Sequence, residues 1–312
     1  MRNAEPDKGV SHLSGSAFSR KPRIGSRYIG FVFIAPSFTI FCIFVFLPLI
    51  ACLVISFLQY DILTPATFVG TDNYYKILQD DRFPGIFLNT CLYVFSAVLL
   101  MNSLGVILAL KLNTKMRPRL MKIMRSIFFF PSMIGLIYVG TIWASLFQEE
   151  TGIINYYLHF LGLGPIDWLN GKLNAIFTVI FVDVWRNVGF GALIFLAALQ
   201  DVPQERIEAA QIDGATKSQV IRYVTIPAIA PAIFFNVTMT LIGSFQIYES
   251  IVVLTNGGPG DSTRSLVMYI AEVAFGQFNL GYASALSVLL FVLIFGLTLF
   301  FFRLHRKWVT YD

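Results

Sequence analysis

The chain has 312 residues, of which 56% are apolar and only 13% charged, with a mean hydropathy of +0.70. A soluble domain carries about twice that share of charge, so a water-soluble globule is excluded and lipid is the solvent that fits. The net charge of +5 does not point to nucleic acid, because Lys and Arg sit in short runs between apolar stretches rather than on one basic face.

Residues 1–27 form a polar tail carrying Arg2, Lys8, Arg20, Lys21, Arg23 and Arg27. The apolar run at 29–58 is too long for the core of a secretion signal, and no small-residue cleavage site follows it. It predicts a retained membrane helix. Further apolar stretches lie at 86–110, 124–147, 174–199, 228–254 and 283–302, each close to the ~20 residues a crossing helix needs. The expectation is an all-α integral membrane domain over 28–312 with six spans. Pro36, Pro48 and Pro131 fall inside these runs, where proline removes a backbone donor. Such breaks either line a moving pathway or are packing kinks.

Charge then orients the spans. The loop after the second span holds Lys111, Lys115, Arg117, Arg119, Lys122 and Arg125. The loop after the fourth holds Arg206, Lys217 and Arg222, and the end of the chain Arg303, Arg306 and Lys307. The opposite side has only Lys76, Arg82, Lys172 and Arg264. Cationic loops resist translocation, so both termini are expected in the cytoplasm. Cys42, Cys52 and Cys91 lie in or beside apolar runs without metal or disulfide spacing and read as small apolar side chains. His12, His159 and His305 are scattered, and no catalytic set or metal site is visible, so an enzyme is not expected.

The segment at 201–227 reads DVPQERIEAAQIDGATKSQVIRYVTIP. Pro203 suits a first helical turn, and no breaker follows until Gly214, which can take the left-handed backbone that ends a helix. Thr216 with Gln219 makes a capping-box pattern for a second helix, and Pro227 marks the start of the fifth span. A helix, tight turn and helix on the cytoplasmic side suggest a docking element. The bland alternative is an ordinary solvated helix pair.

Glu208-Ala209-Ala210, Gly214 and Ile226-Pro227 resemble the EAA motif of ABC-importer permeases, and Ile212-Asp213-Gly214-Ala215 resembles the sugar-permease form of it. The likeness extends from about residue 28 to the end. Asn89-Thr90, Pro131, Gly152, Asn155, Leu158, Gly162 and Trp168-Leu169 fit the same pattern. So do Phe245, Leu254-Thr255-Asn256-Gly257-Gly258-Pro259, Thr263 and Gly281-Tyr282-Ala283-Ser284-Ala285. The first of the two partner subunits in maltose-type importers is the more similar. Gln246 departs from the aspartate that many members carry.

The resemblance implies a sugar or oligosaccharide permease in a prokaryotic cytoplasmic (inner) membrane, with a coupling-helix loop at 200–227. Glu208, Ala209, Ala210, Asp213, Gly214 and Pro227 would couple it to an ATPase. The implied partners are a second homologous permease, a dimer of ATP-binding subunits and an extracytoplasmic solute-binding protein. ATP binding would close the ATPase dimer and turn the membrane cavity outward. The chain has no G-x-x-x-x-G-K-[ST] run to cradle phosphates, so ATP and Mg are expected on a partner chain and no cofactor in this one.

Ionisable groups inside a membrane usually face a cavity or a partner. Asp183, Trp185, Arg186 and Asn187 in the fourth span, and Gln246, Tyr248 and Glu249 in the fifth, are the candidate pathway residues. Asp183, Arg186 and Asn187 have i, i+3, i+4 spacing and should share a face. At about 1.5 Å per residue, Asp183 and Gln246 both lie roughly 12 Å below the outer face. The alternative is an internal Asp183–Arg186 ion pair that only holds helices together. A polyol or glycerol-phosphate solute would suit the same machinery. An ion-coupled secondary transporter would show inverted repeats, and none is visible.

Overall fold

The structure, a computed structural model, describes residues 25–114 and 118–305. The tail up to residue 24 and the basic residues Lys115, Arg117, Arg306 and Lys307 lie outside the described residues. The chain divides into two units, one ending at Ala51 and one beginning at Cys52.

Helix α1 (Gly25–Phe41) passes through a π-helical turn at Cys42–Phe46 into α2 (Leu47–Ile55). No residue in the apolar stretch Phe31–Ile55 is fully buried. An all-apolar helix of this kind needs lipid or a partner around it. The π turn has a local cause. Pro48 cannot donate, and its ring would clash with the carbonyl four residues back. The Leu47 N–H instead reaches five residues back to the Cys42 carbonyl, which widens the turn.

The second unit begins with a two-stranded antiparallel ribbon, β1 (Leu58–Gln59) with β2 (Thr67–Phe68), which the all-helical expectation did not include. Amphipathic α3 (Asp72–Gln79) leads to α4 (Phe83–Leu112), the second span. The third span carries Pro131, where the sequence predicts a bend. It is a pair, α5 (Pro118–Met133) and α6 (Leu136–Leu146), bent by 98°. Pro131 weakens the end of α5, and Gly135 leaves the helical region with ψ of 133° before α6 begins.

Short α7 (Ile153–Phe160) is held by Asn155, whose Oδ1 accepts from Trp168 Nε1 at 2.9 Å and whose Nδ2 donates to the Ile166 carbonyl at 2.9 Å. The fourth span is α8 (Lys172–Gln200). It lies so close to α5 that a Cβ on Gly189 would sit 1.7 Å from the Phe128 carbonyl oxygen. Against α4 the fully buried Phe195 fills the space that Gly105 leaves open.

Then come α9 (Gln204–Ile212), α10 (Lys217–Val220), a π turn at Ile221–Thr225 and α11 (Ile226–Ala228). Pro227 repeats the solution seen at Pro48, with Ile226 N–H bonded to the Ile221 carbonyl. The fifth span, expected at 228–254, is bent at its start and interrupted once inside. Residues 217–228 meet α12 (Ala230–Phe245) at a 67° bend, and α12 stops at Phe245 before α13 (Glu249–Leu254) begins. Helices α14 (Leu266–Ala271) and α15 (Leu280–His305) complete the order, α15 being the sixth span. Among the described residues, four helices are long and apolar enough to cross a membrane, and the two bent pairs bring the total to six. Asn236 Nδ2 donates to Asn102 Oδ1 at 2.8 Å, fastening α12 to α4 by a polar contact that apolar surroundings favour.

Candidate functional site

A cavity of about 460 Å³ opens where α12 gives way to α13. Its wall draws on separate elements: Tyr93 from α4, Asp183 and Asn187 from α8, Asn236 and Thr240 from α12, and Gln246, Tyr248 and Glu249 from the break and the turn after it. Asp183 organises the wall. It accepts hydrogen bonds from the Tyr93 hydroxyl, from Ser250 Oγ at 3.2 Å and from Asn187 Nδ2 at 3.2 Å. One carboxylate thus ties α4, α8 and α13 together. The break needs that support. Tyr248 has φ −141° and ψ −59°, outside the helical region. The Ile247 carbonyl, lost from the helix, accepts from Ser265 Oγ at 2.7 Å.

Of the seven pathway candidates, five line this cavity: Asp183, Asn187, Gln246, Tyr248 and Glu249. The other two point elsewhere. Trp185 stacks edge-on against Trp143 with ring centroids 5.2 Å apart. Arg186 donates through Nε at 3.3 Å and Nη2 at 3.1 Å to the Ile134 carbonyl, which the bend between α5 and α6 leaves without a helical partner. No Asp183–Arg186 salt bridge forms among the described residues, so that alternative is corrected: Arg186 caps a broken helix. The depth estimate also needs revision, since the residues above Gln246 do not continue one helix. The two clusters nevertheless meet at one cavity. Tyr93, Asn236 and Ser250 were missed. Each is a single polar residue in an apolar stretch, with no local spacing to mark it.

The loop at 201–227 begins as a helix, turn and helix. Pro203 is the N-cap of α9 rather than a residue of its first turn. Gly214 has φ +82°, and the bonds Ala215 N–H to Ala210 O at 3.0 Å and Gly214 N–H to Gln211 O at 3.1 Å close a Schellman turn. Thr216 caps α10, with its N–H donating to Gln219 Oε1 at 2.8 Å in return for the Gln219 N–H on its hydroxyl. Glu208, Ala209, Asp213 and Pro227 are exposed and Ala210 is half-buried. Ile212 is 85% exposed, an apolar side chain on a polar loop.

A third cluster went unseen in the sequence because its members are far apart. Arg82 bonds Asp261 at 2.7 Å and Glu272 at 2.8 Å, and Arg264 bonds the same two carboxylates at 2.5 Å each. Asn89 Nδ2 donates to the Asp261 carbonyl at 2.7 Å. The Arg82 hydrogen bonds hold the Asp261 and Glu272 carboxyls below the ordinary carboxylate range. Among the described residues no group of His, Cys, Asp or Glu could hold a metal ion.

Residues 101–309 match the family described as binding-protein-dependent transport system inner membrane component. The chain is 33% identical over 309 residues to the probable ABC transporter permease protein YesP of Bacillus subtilis, covering 97% of each. It is 32% identical over 283 residues to the trehalose/maltose transport system permease protein MalF of Thermococcus litoralis, covering 89% of this chain and 94% of that one. It is 32% identical over 275 residues to the arabinooligosaccharides transport system permease protein AraP of Halalkalibacterium halodurans, covering 88% and 86%. In fold it is similar to a chain of a bacterial alginate ABC transporter crystallised with an alginate pentasaccharide-bound periplasmic protein. The TM-score is 0.82 at 22% identity, over 91% of this chain and 96% of that one. The chain belongs to the family of binding-protein-dependent transport system inner membrane components, as a multi-pass transport subunit rather than an enzyme.

Proposed function

We propose that this chain is one of two homologous transmembrane subunits of an ATP-driven importer, and that the cavity at the break in its fifth span is its share of the path for a sugar or short oligosaccharide. The lining carries the reading. Asn187, Asn236 and Gln246 supply amides, Thr240 a hydroxyl, and Tyr93 and Tyr248 aromatic rings. Sugar hydroxyls both donate and accept, and their ring faces are apolar, so amide groups beside aromatic surfaces match them. Relatives named for trehalose/maltose and arabinooligosaccharides support the class. A polyol would suit the same groups.

Coupling falls to α9, which rests on a separate ATP-binding pair through Glu208, Ala209, Ala210 and the exposed Ile212, held at a fixed angle by Asp213 and Gly214. Pro227 lies in α11, beyond the π turn that follows the second helix. ATP and Mg belong to that pair, and an extracytoplasmic binding protein delivers the solute. Both termini are cytoplasmic by the Lys/Arg asymmetry. Single cysteines at Asn113→Cys and Asn170→Cys should react with an impermeant reagent from opposite sides; same-side labelling ends this topology. The functional test is uptake of radiolabelled trehalose, maltose and arabinooligosaccharides by the transporter reconstituted with its partner chains and binding protein. ATP-dependent uptake that Asn187→Ala lowers or redirects without loss of assembly is expected. Uptake that proceeds without ATP, or of none of these sugars, overturns the proposal.

A further inference from the structure

We infer that this cavity admits uncharged sugars and turns away anionic ones such as uronates and sugar phosphates; the inference rests on the cavity being the solute path proposed above. Its lining includes two carboxylates, Asp183 and Glu249, and no lysine, arginine or histidine. The basic group closest in sequence, Arg186, does not line the cavity; behind the wall it donates to the Ile134 carbonyl at 3.1 Å and to Asn187 Oδ1 at 3.3 Å, beside Asp183, so that its charge is set against that of Asp183 and not against that of Glu249. The other basic residue of α8, Lys172, stands at its first position, eleven residues before Asp183. Helices α12 and α13 carry none.

The two acids differ in kind. Asp183 is engaged by three donors and serves the wall. Whatever its protonation, it brings no positive charge. Glu249 is exposed on the cavity side and makes no hydrogen bond or ion pair with the described residues. Its charge alone makes the lining negative. In surroundings of effective dielectric near 20, a unit charge several ångströms away changes the local concentration of a unit ion by roughly tenfold or more. A neutral sugar escapes that penalty and gains a strong acceptor for its hydroxyls.

The sign of the field can be measured without identifying the solute. With Cys42, Cys52 and Cys91 replaced by alanine, Thr240→Cys places one thiol on the cavity wall. In the transporter purified with its partner chains, the thiol is treated with two methanethiosulfonates of similar size, one bearing trimethylammonium and one sulfonate. The mass of this chain reports each rate, normalised to the rate with free cysteine. The cationic reagent should be favoured by roughly tenfold, and Glu249→Gln should cut that preference at least about threefold. Met239→Cys, on the same wall, gives the same reading if Thr240→Cys fails to assemble. No preference, an anionic preference, or a cationic one that Glu249→Gln leaves unchanged overturns the inference. A transporter that carries no sugar overturns the function proposed above and leaves this ratio measurable. An unbiased ratio in a sugar-carrying transporter overturns only the charge selection.

Discussion

The turn at Asp213–Gly214 and the break at Gln246–Tyr248 both interrupt helices, and they are built by opposite means. At the turn every bond is local: Gly214 adopts φ +82°, and the partners of its Schellman bonds lie within five residues. At the break there is neither proline nor glycine. Gln246, Ile247 and Tyr248 leave the helix because distant side chains anchor the chain on either side of Tyr248, Ser265 on the Ile247 carbonyl and Asp183 on Ser250. A turn made locally keeps its shape while its neighbours move, which suits an element that transmits force. A break made by tertiary contacts changes when the helices around it shift, which suits the wall of a path that must open and close.

The largest effect should come from removing the tertiary support. Asp183→Leu strands the Tyr93 hydroxyl and Ser250 Oγ, while Asn187 Nδ2 keeps its bond to the backbone carbonyl of residue 183 at 2.9 Å. Unsatisfied buried donors cost about 1–3 kcal/mol each, so the purified transporter should melt many degrees lower or fail to assemble. Asp183→Asn, which keeps an acceptor, should fall between. Equal melting of Asp183→Leu and wild type would show that the break is held by something else.

Next comes the turn. Gly214→Val forces a branched side chain into the left-handed region, at about 1–2 kcal/mol. Because the cost is local, the membrane domain should still assemble while ATP hydrolysis loses its link to uptake. Gly214→Asn, a residue that visits this region readily, should restore coupling. Coupled uptake by the valine variant would remove the turn from the mechanism.

This contrast also explains what the sequence disclosed. Apolar length located all six spans, and the ends of α8 lie within two residues of the expected 174–199. The loop could be read corner by corner because Gly214 and the Thr216/Gln219 pair act on their own neighbours. The bend at Ile134–Gly135 could not. Pro131 hints at it, but the free Ile134 carbonyl is answered by Arg186, 52 residues away. For the same reason the i, i+3, i+4 spacing put Arg186 on the face of Asp183, while its long side chain reaches another helix. Tyr93 and Ser250 carried no local mark, and the ion cluster joins residues as far apart as Arg82 and Glu272.

A smaller effect tests the local side alone. Thr216→Ala removes the cap of α10 and should cost about 1 kcal/mol. Amide exchange across Lys217–Val220 should then speed up by about fivefold, while exchange in α13 stays as it was. Faster exchange in both would mean that the loop and the break are not independent.

The smallest effect concerns the segment around Asp261, which combines both modes of construction. Its backbone is turned locally, with positive φ at Asn256, Gly257, Gly260 and Asp261. Its position is set at a distance by Arg82, through Asp261 and Glu272. Acid removes only the second part. Both carboxyls are held below their ordinary values of 3.8 and 4.5 in the folded chain. Their contribution is therefore complete above those values and is lost as pH falls through the lower folded ones. These groups are partly exposed, so the contribution is modest. Wild type should out-melt Arg82→Met at pH 7, and the gap should narrow as pH falls below about 4. The gap between wild type and Thr216→Ala should not follow it, because the threonine cap does not titrate. A constant Arg82→Met gap down to pH ~3, where an ordinary carboxyl is mostly protonated, would mean that Arg82 acts by packing its stem over Tyr269, whose ring centroid lies 4.9 Å from the guanidinium carbon, and not through the carboxylates.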